Sequence, residues 1–83
     1  MVYMTGHTLD ARHLLCPLPV IRTQNKIKTL CTGDLLVVTC TDPGAINDIP
    51  MWCRINGHKV ISTKIVDHEI TIAIAIETSH NNN

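Results

Sequence analysis

Phenylalanine is absent from this chain, and Trp52 and Tyr3 are its only aromatic residues. A surface that binds nucleic acid by stacking bases needs more rings than that. There is no charge excess either: seven Lys and Arg meet seven Asp and Glu, for a net charge of zero with His neutral. No long-range field therefore draws the chain to a phosphate backbone or an anionic membrane surface. Long hydrophobic runs are also missing, and no stretch approaches the roughly 20 apolar residues of a membrane span. Met1 to His7 shows no basic segment leading into an apolar one, as a secretory leader would. The expectation is a cytoplasmic protein that binds neither membrane nor nucleic acid directly and acts as a monomer.

Its four cysteines, Cys16, Cys31, Cys40 and Cys53, form no Cys-x-x-Cys pair, and its five histidines are scattered. That spacing suits neither a structural zinc site nor a dithiol redox centre, so no metal and no cofactor is expected. With 45% of residues hydrophobic, the chain can form a core without disulfide staples, and the cysteines read as reduced thiols. A length of 83 residues makes one domain, 1–83, with a single two-layer core. Residues 7–77 are expected to be ordered. Met1 to Gly6 should fray, and the polar tail 78–83 has nothing to bury and should be disordered.

What the chain does have is Cys16-Pro17-Leu18-Pro19. Pro17 has no N–H and a fixed φ suited to the first helical position, and a proline pushes its predecessor out of the α region. Cys16 is therefore expected at the N-cap, where extended chain becomes helix. Pro19 also lacks an N–H, so the amides of Leu18 and Val20 are the first-turn donors expected near the sulfur. A helix N-terminus stabilises an anion by about 0.3–1 kcal/mol, which favours thiolate and lowers the Cys16 pKa.

From Pro17 onward, Val20, Ile21, Ile27, Leu30 and Cys31 share half a helical wheel and predict an amphipathic helix, with Leu18 off that face and open to solvent or a partner. Thr32-Gly33-Asp34 ends it. Leu35 to Thr41 reads as a buried parallel strand containing Cys40. Asp42-Pro43-Gly44 then starts a second helix, with Asp42 as N-cap, Ala45, Ile46, Ile49, Trp52 and Cys53 inward, and Met51 and Ile55 outside the buried arc. Pro50 should kink or interrupt it. Past Asn56-Gly57, His58 to Val66 and Glu69 to Glu77 form a hairpin across Asp67-His68. In its second strand Ile70, Ile72, Ile74 and Ile76 alternate with small residues. With His7 to Ala11 as a first strand, the order is βαβαββ: an α/β (α+β) two-layer sandwich of a four-stranded mixed sheet with two helices on one face. Right-handed crossovers bring Cys16 and Asp42 to the same sheet edge. Cys31, Cys40 and Cys53 are expected to be packing residues.

Thr8-Leu9-Asp10-Ala11, Leu14, Cys16-Pro17-Leu18-Pro19, Gly33-Asp34, Asp42-Pro43 and Asp48-Ile49-Pro50 together resemble the TusA (SirA-like) family of sulfur carrier proteins, from about Thr8 to Glu77. The resemblance implies a two-layer sandwich like the C-terminal domain of translation initiation factor three, and a persulfide on Cys16. It also implies a cysteine desulfurase as sulfur donor and a downstream relay protein as acceptor, leading to 2-thiouridine at the tRNA wobble position. Molybdenum cofactor supply, sulfur oxidation and a non-catalytic regulatory or binding module are the alternatives. Pro17, Leu18, Pro19, Asp10 and His13 would support Cys16, with Asp10 orienting the loop by accepting backbone N–H bonds. The family usually has glycine where this chain has His13, as a positive φ would require, and often arginine where it has Leu15.

Overall fold

The structure is a computed structural model that describes residues 5–77. The expected tail 78–83 and most of the expected frayed start lie outside that range, while Gly6 belongs to the first strand. The elements are β1 (Gly6–Ala11), α1 (Leu18–Ile27), β2 (Leu35–Cys40), α2 (Ala45–Ile55), β3 (Lys59–Val66) and β4 (Glu69–Ala75). They form a two-layer α/β sandwich. The four strands lie in the order β1-β2-β4-β3. β1 and β2 are parallel, and β4 runs antiparallel to both β2 and β3. The hairpin therefore folds its second strand into the middle of the sheet and leaves β3 at the edge.

That placement follows from side chains. Along β4 and just past it, Ile70, Ile72, Ile74 and Ile76 are all buried, the first three opposite Cys40, Val38 and Leu36 of β2. At about 25 cal/mol per Å² of apolar surface, four isoleucines stabilise the fold most in the centre of the sheet, under the helices. β3 carries Lys59, Lys64 and hydroxylic residues and has only Val60 even partly buried, a composition suited to an edge. Asp67 and His68, at φ 50° and 68°, make the tight hairpin turn.

Both helices differ from the sequence expectation. α1 ends at Ile27, four residues before Cys31, and buries Pro19, Thr23 and Ile27, whereas Ile21 and Cys31 are exposed. The buried stripe includes a threonine because its hydroxyl donates to the Pro19 carbonyl at 2.8 Å, so no polar group is left unsatisfied. Cys31 lies beyond the helix, where its N–H donates to Asp34 Oδ2 at 3.0 Å. It is not a packing residue; Cys40 and Cys53 are, and both are fully buried. α2 buries Ala45, Ile49 and Cys53 and continues past Pro50 without interruption. His58 and Glu77 flank the hairpin strands rather than belonging to them: buried His58 stacks on Trp52 with ring centroids 5.7 Å apart, and its Nδ1 accepts the Glu77 N–H at 3.3 Å.

Candidate functional site

The carboxyl ends of the parallel strands β1 and β2 lie side by side, with Ala11 opposite Cys40. The loops that leave them, 12–17 and 41–44, are joined by long-range hydrogen bonds. His13 has φ 67°, a left-handed conformation that favours glycine, and its N–H donates to Thr41 Oγ1 at 2.9 Å. Three residues on, the Cys16 N–H donates to Asp42 Oδ2 at 3.3 Å. The turn at His13 thus brings Cys16 over the start of the second crossover.

Asp10 serves the same loop from its other side. Its carboxylate accepts the Arg12 backbone N–H at 3.1 Å and the guanidinium at 2.9 and 3.0 Å, while Arg12 also reaches Glu69 at 3.4 Å. The Arg12 guanidinium holds the Asp10 carboxyl down at about 2. These groups occupy the solvent side of the sheet edge, and no bond joins Asp10 to Cys16.

The start of α1 corrects two expectations. Helical geometry begins at Leu18, with Pro17 in the capping position and no side-chain cap, so Cys16 is not the N-cap. The Leu18 N–H is taken by the Leu15 carbonyl at 2.9 Å, and Pro17 and Pro19 have none to offer. The expected cradle of Leu18 and Val20 amides around the sulfur is therefore incomplete. The Cys16–Pro17 peptide is cis.

Instead of helix amides, Cys16 faces carboxylates. Its thiol is pushed up to about 12, first by its hydrogen bond to Asp42, then by desolvation and a hydrogen bond to Asp48. A hydrogen bond to a carboxylate and nearby negative charge both favour the protonated thiol. The shift is upward where a lowering was expected, because two carboxylates and desolvation act on the thiol. Asp42 was the expected cap of α2, but Gly44 occupies that position without a side-chain cap bond. Only the Asp42 carbonyl serves the helix, accepting the Ala45 N–H at 3.0 Å. Asp48, in the first turn of α2, contributes to the family resemblance in the sequence, and the structure gives it a place beside Cys16. Its signal was a second acidic residue at a helix start that topology brings to the cysteine's edge.

Exposed apolar side chains flank Cys16 in the chain and lie along α2. Leu15 is 72% exposed, Ile55 75%, Met51 49% and Leu18 43%. Pro17, Val20, Asp48, Met51, Trp52 and Ile55 line a groove between the two helices. Leu18 is thus on the solvent side, and Pro19 lies beneath it in the core. A second, apolar cleft opens on the same sheet edge between Thr41, Pro43, Ile46, Ile65, His68 and Ile70. Among the described residues no group of three or more His, Cys, Asp or Glu side chains could hold a metal ion. No helix of these residues is long and apolar enough to cross a membrane.

A half-buried cysteine on a proline-bracketed helix start, at the loop edge of this sandwich, is matched in sequence as well. The family model described as Sulfurtransferase TusA matches residues 7–76. The chain belongs to the TusA family. The sulfur carrier protein TusA of Pseudomonas aeruginosa is 41% identical over 61 residues, covering 74% of this chain and 77% of that one. A protein of Neisseria meningitidis serogroup A, named as a candidate sulfur carrier, is 35% identical over 71 residues, covering 86% of this chain and 96% of its own. The fold agrees with the crystal structure of a SirA-like protein from Desulfitobacterium hafniense, at a TM-score of 0.77 and 22% identity over 87% of this chain and 99% of that one. Like other members of the TusA family, this protein is a sulfur carrier.

Proposed function

We propose that Cys16 carries the sulfur, as a persulfide received from a cysteine desulfurase and handed to a downstream relay protein, with 2-thiouridine at the tRNA wobble position as its destination. The observation that carries this reading is the position of Cys16. It is half-buried on the loop edge, hydrogen-bonded into the second crossover and flanked in the chain by the exposed side chains of Leu15 and Leu18, whereas Cys40 and Cys53 are sealed in the core. Cys31 is exposed too, but it stands alone after α1, away from both loops of this edge.

The chemistry is exchange between sulfurs and needs no oxidant. The Cys16 sulfur attacks the outer sulfur of the donor R–S–SH, a new S–S bond forms and the donor's own S–S bond breaks. The Cys16 proton passes to the departing R–S⁻, so that Cys16–SH and R–S–SH become Cys16–S–SH and R–SH. Delivery is the same reaction, with Cys16 as the leaving thiol. The Asp42 carboxylate favours the thiol form of Cys16, so the proton leaves sulfur as the attack proceeds. Leu18 and the groove between the helices offer apolar surface to a partner, while Pro17, Pro19, His13 and Asp10 fix the loop that presents the thiol.

The experiment is complementation in cells that lack their own sulfur carrier. Nucleoside mass spectrometry of total tRNA should show 2-thiouridine restored by the wild-type chain and not by Cys16→Ser. Restoration by Cys16→Ser, with the serine protein shown to be folded, would contradict the assignment.

A further inference from the structure

The carboxylates beside Cys16 bear on which reagents can reach it. Cys16 Sγ, Asp42 Oδ2 and Asp48 Oδ2 surround one point, the place a Cβ would occupy on Gly44, at 3.5, 3.3 and 3.8 Å. The ion pairs among the described residues are His7 with Asp34 and Arg12 with Asp10 and Glu69, so neither Asp42 nor Asp48 is paired with a cation among those residues. The adjoining approach to the thiol, past Leu15 and Leu18, is apolar and exposed. Leu15, the chain neighbour of Cys16, adds no compensating charge. Anything that exchanges with this sulfur must come within a few ångström of two negative charges.

We propose that Asp42 and Asp48 make Cys16 charge-selective: it exchanges sulfur with a persulfide that a protein presents beside positive charge, and it rejects small anionic sulfur donors such as hydropolysulfide or thiosulfate. The proposal rests on reading Cys16 as the sulfur-accepting thiol. In an S–S exchange the attacking, central and leaving sulfurs lie in line, so a charge on a small donor cannot stay clear of the carboxylates. At physiological ionic strength, charges this close still interact inside the screening length, and the pair should separate a cationic from an anionic reagent by on the order of tenfold. A desulfurase surface offering Lys or Arg to the carboxylates would remove the barrier and relieve the repulsion at once.

The test uses two methanethiosulfonates of similar size, one bearing an ethylammonium and the other an ethylsulfonate, on full-length protein with exposed Cys31 replaced (Cys31→Ser). Both react with the same thiolate, so the ratio of their rate constants cancels the degree of ionisation and reports charge selectivity alone. Relative to a small uncharged thiol, the ratio should favour the cation by about tenfold or more in dilute buffer and fall toward unity in about 1 M salt. Asp42→Asn combined with Asp48→Asn should abolish the preference. A ratio equal to that of the small thiol, or one that salt does not move, overturns the proposal; the salt series needs no substitution at the site. Protein that shows the ratio but gains no sulfur from a cysteine desulfurase would refute the carrier reading and leave the selectivity standing. A flat ratio in protein that does gain sulfur would do the reverse.

Discussion

Asp42→Asn should make Cys16 a more acidic thiol. The carboxylate is the leading reason that the thiol is pushed up to about 12 from an ordinary value of 9.0, with desolvation and Asp48 contributing less. Asparagine keeps the size of the side chain and an oxygen to accept the Cys16 N–H, but it removes the charge. Each pK unit is a factor of 10 in thiolate at neutral pH, or about 1.4 kcal/mol. Because Cys16 is only half-buried, water screens the carboxylate. We therefore take about one unit, rather than the whole shift, as the effect of the substitution. The assay is the rate of alkylation by neutral iodoacetamide from about pH 6 to about pH 11, with Cys31→Ser in the background, at constant ionic strength. A group whose pKa is raised stays protonated to higher pH, so the wild-type rate should climb with pH through the range where an ordinary thiol has already levelled off. In Asp42→Asn the rising limb should lie about one pH unit lower, with a rate near neutrality about tenfold faster. A wild-type plateau near neutral pH, unmoved by the substitution, would mean that the helix terminus governs the thiol and that the carboxylates do not.

Burial, backbone geometry and charge each set a further expected outcome. Cys53→Ala, in the sealed core, should lower unfolding free energy by about 1 kcal/mol in urea titrations, whereas Cys31→Ala, on the surface, should fall within about 0.5 kcal/mol of wild type. Ile72→Ala, at the centre of the sheet, should cost about 2–5 kcal/mol by the same measurement. At position 13, φ 67° makes His13→Gly neutral or mildly stabilising, while His13→Val should cost about 1–2 kcal/mol. His13→Ala should leave the alkylation profile of Cys16 in place, since the charges that act on the thiol are Asp42 and Asp48.

Local pattern was enough for most of the architecture. The isoleucine alternation of β4, the apolar run of β2 and the two strand-to-proline-to-helix passages are each contained within a dozen residues, and the βαβαββ order follows from them. The insertion of β4 between β2 and β3 is a matter of long-range pairing, decided by which hairpin strand buries more apolar surface. Counting only apolar residues on the α1 wheel missed Thr23, which is buried because its hydroxyl closes onto the helix backbone, and this turned the assigned face toward Ile21 and Cys31. At the site, Cys16 was recognisable from its prolines. Its electrostatics were not, because the capping rule describes a side chain's nearest backbone, and Asp42 instead bonds a residue 26 positions away. A short carboxylate at a helix start can satisfy either partner, and only the tertiary fold chooses.

The central claim is that sulfur travels on Cys16. Incubating the reduced protein with a cysteine desulfurase and free cysteine, then measuring intact mass and mapping the peptides, tests it directly. The account predicts a gain of one sulfur atom on the peptide containing Cys16, removable by dithiothreitol and absent from Cys16→Ser. An unchanged mass, or added sulfur that maps to Cys31, Cys40 or Cys53, would contradict it.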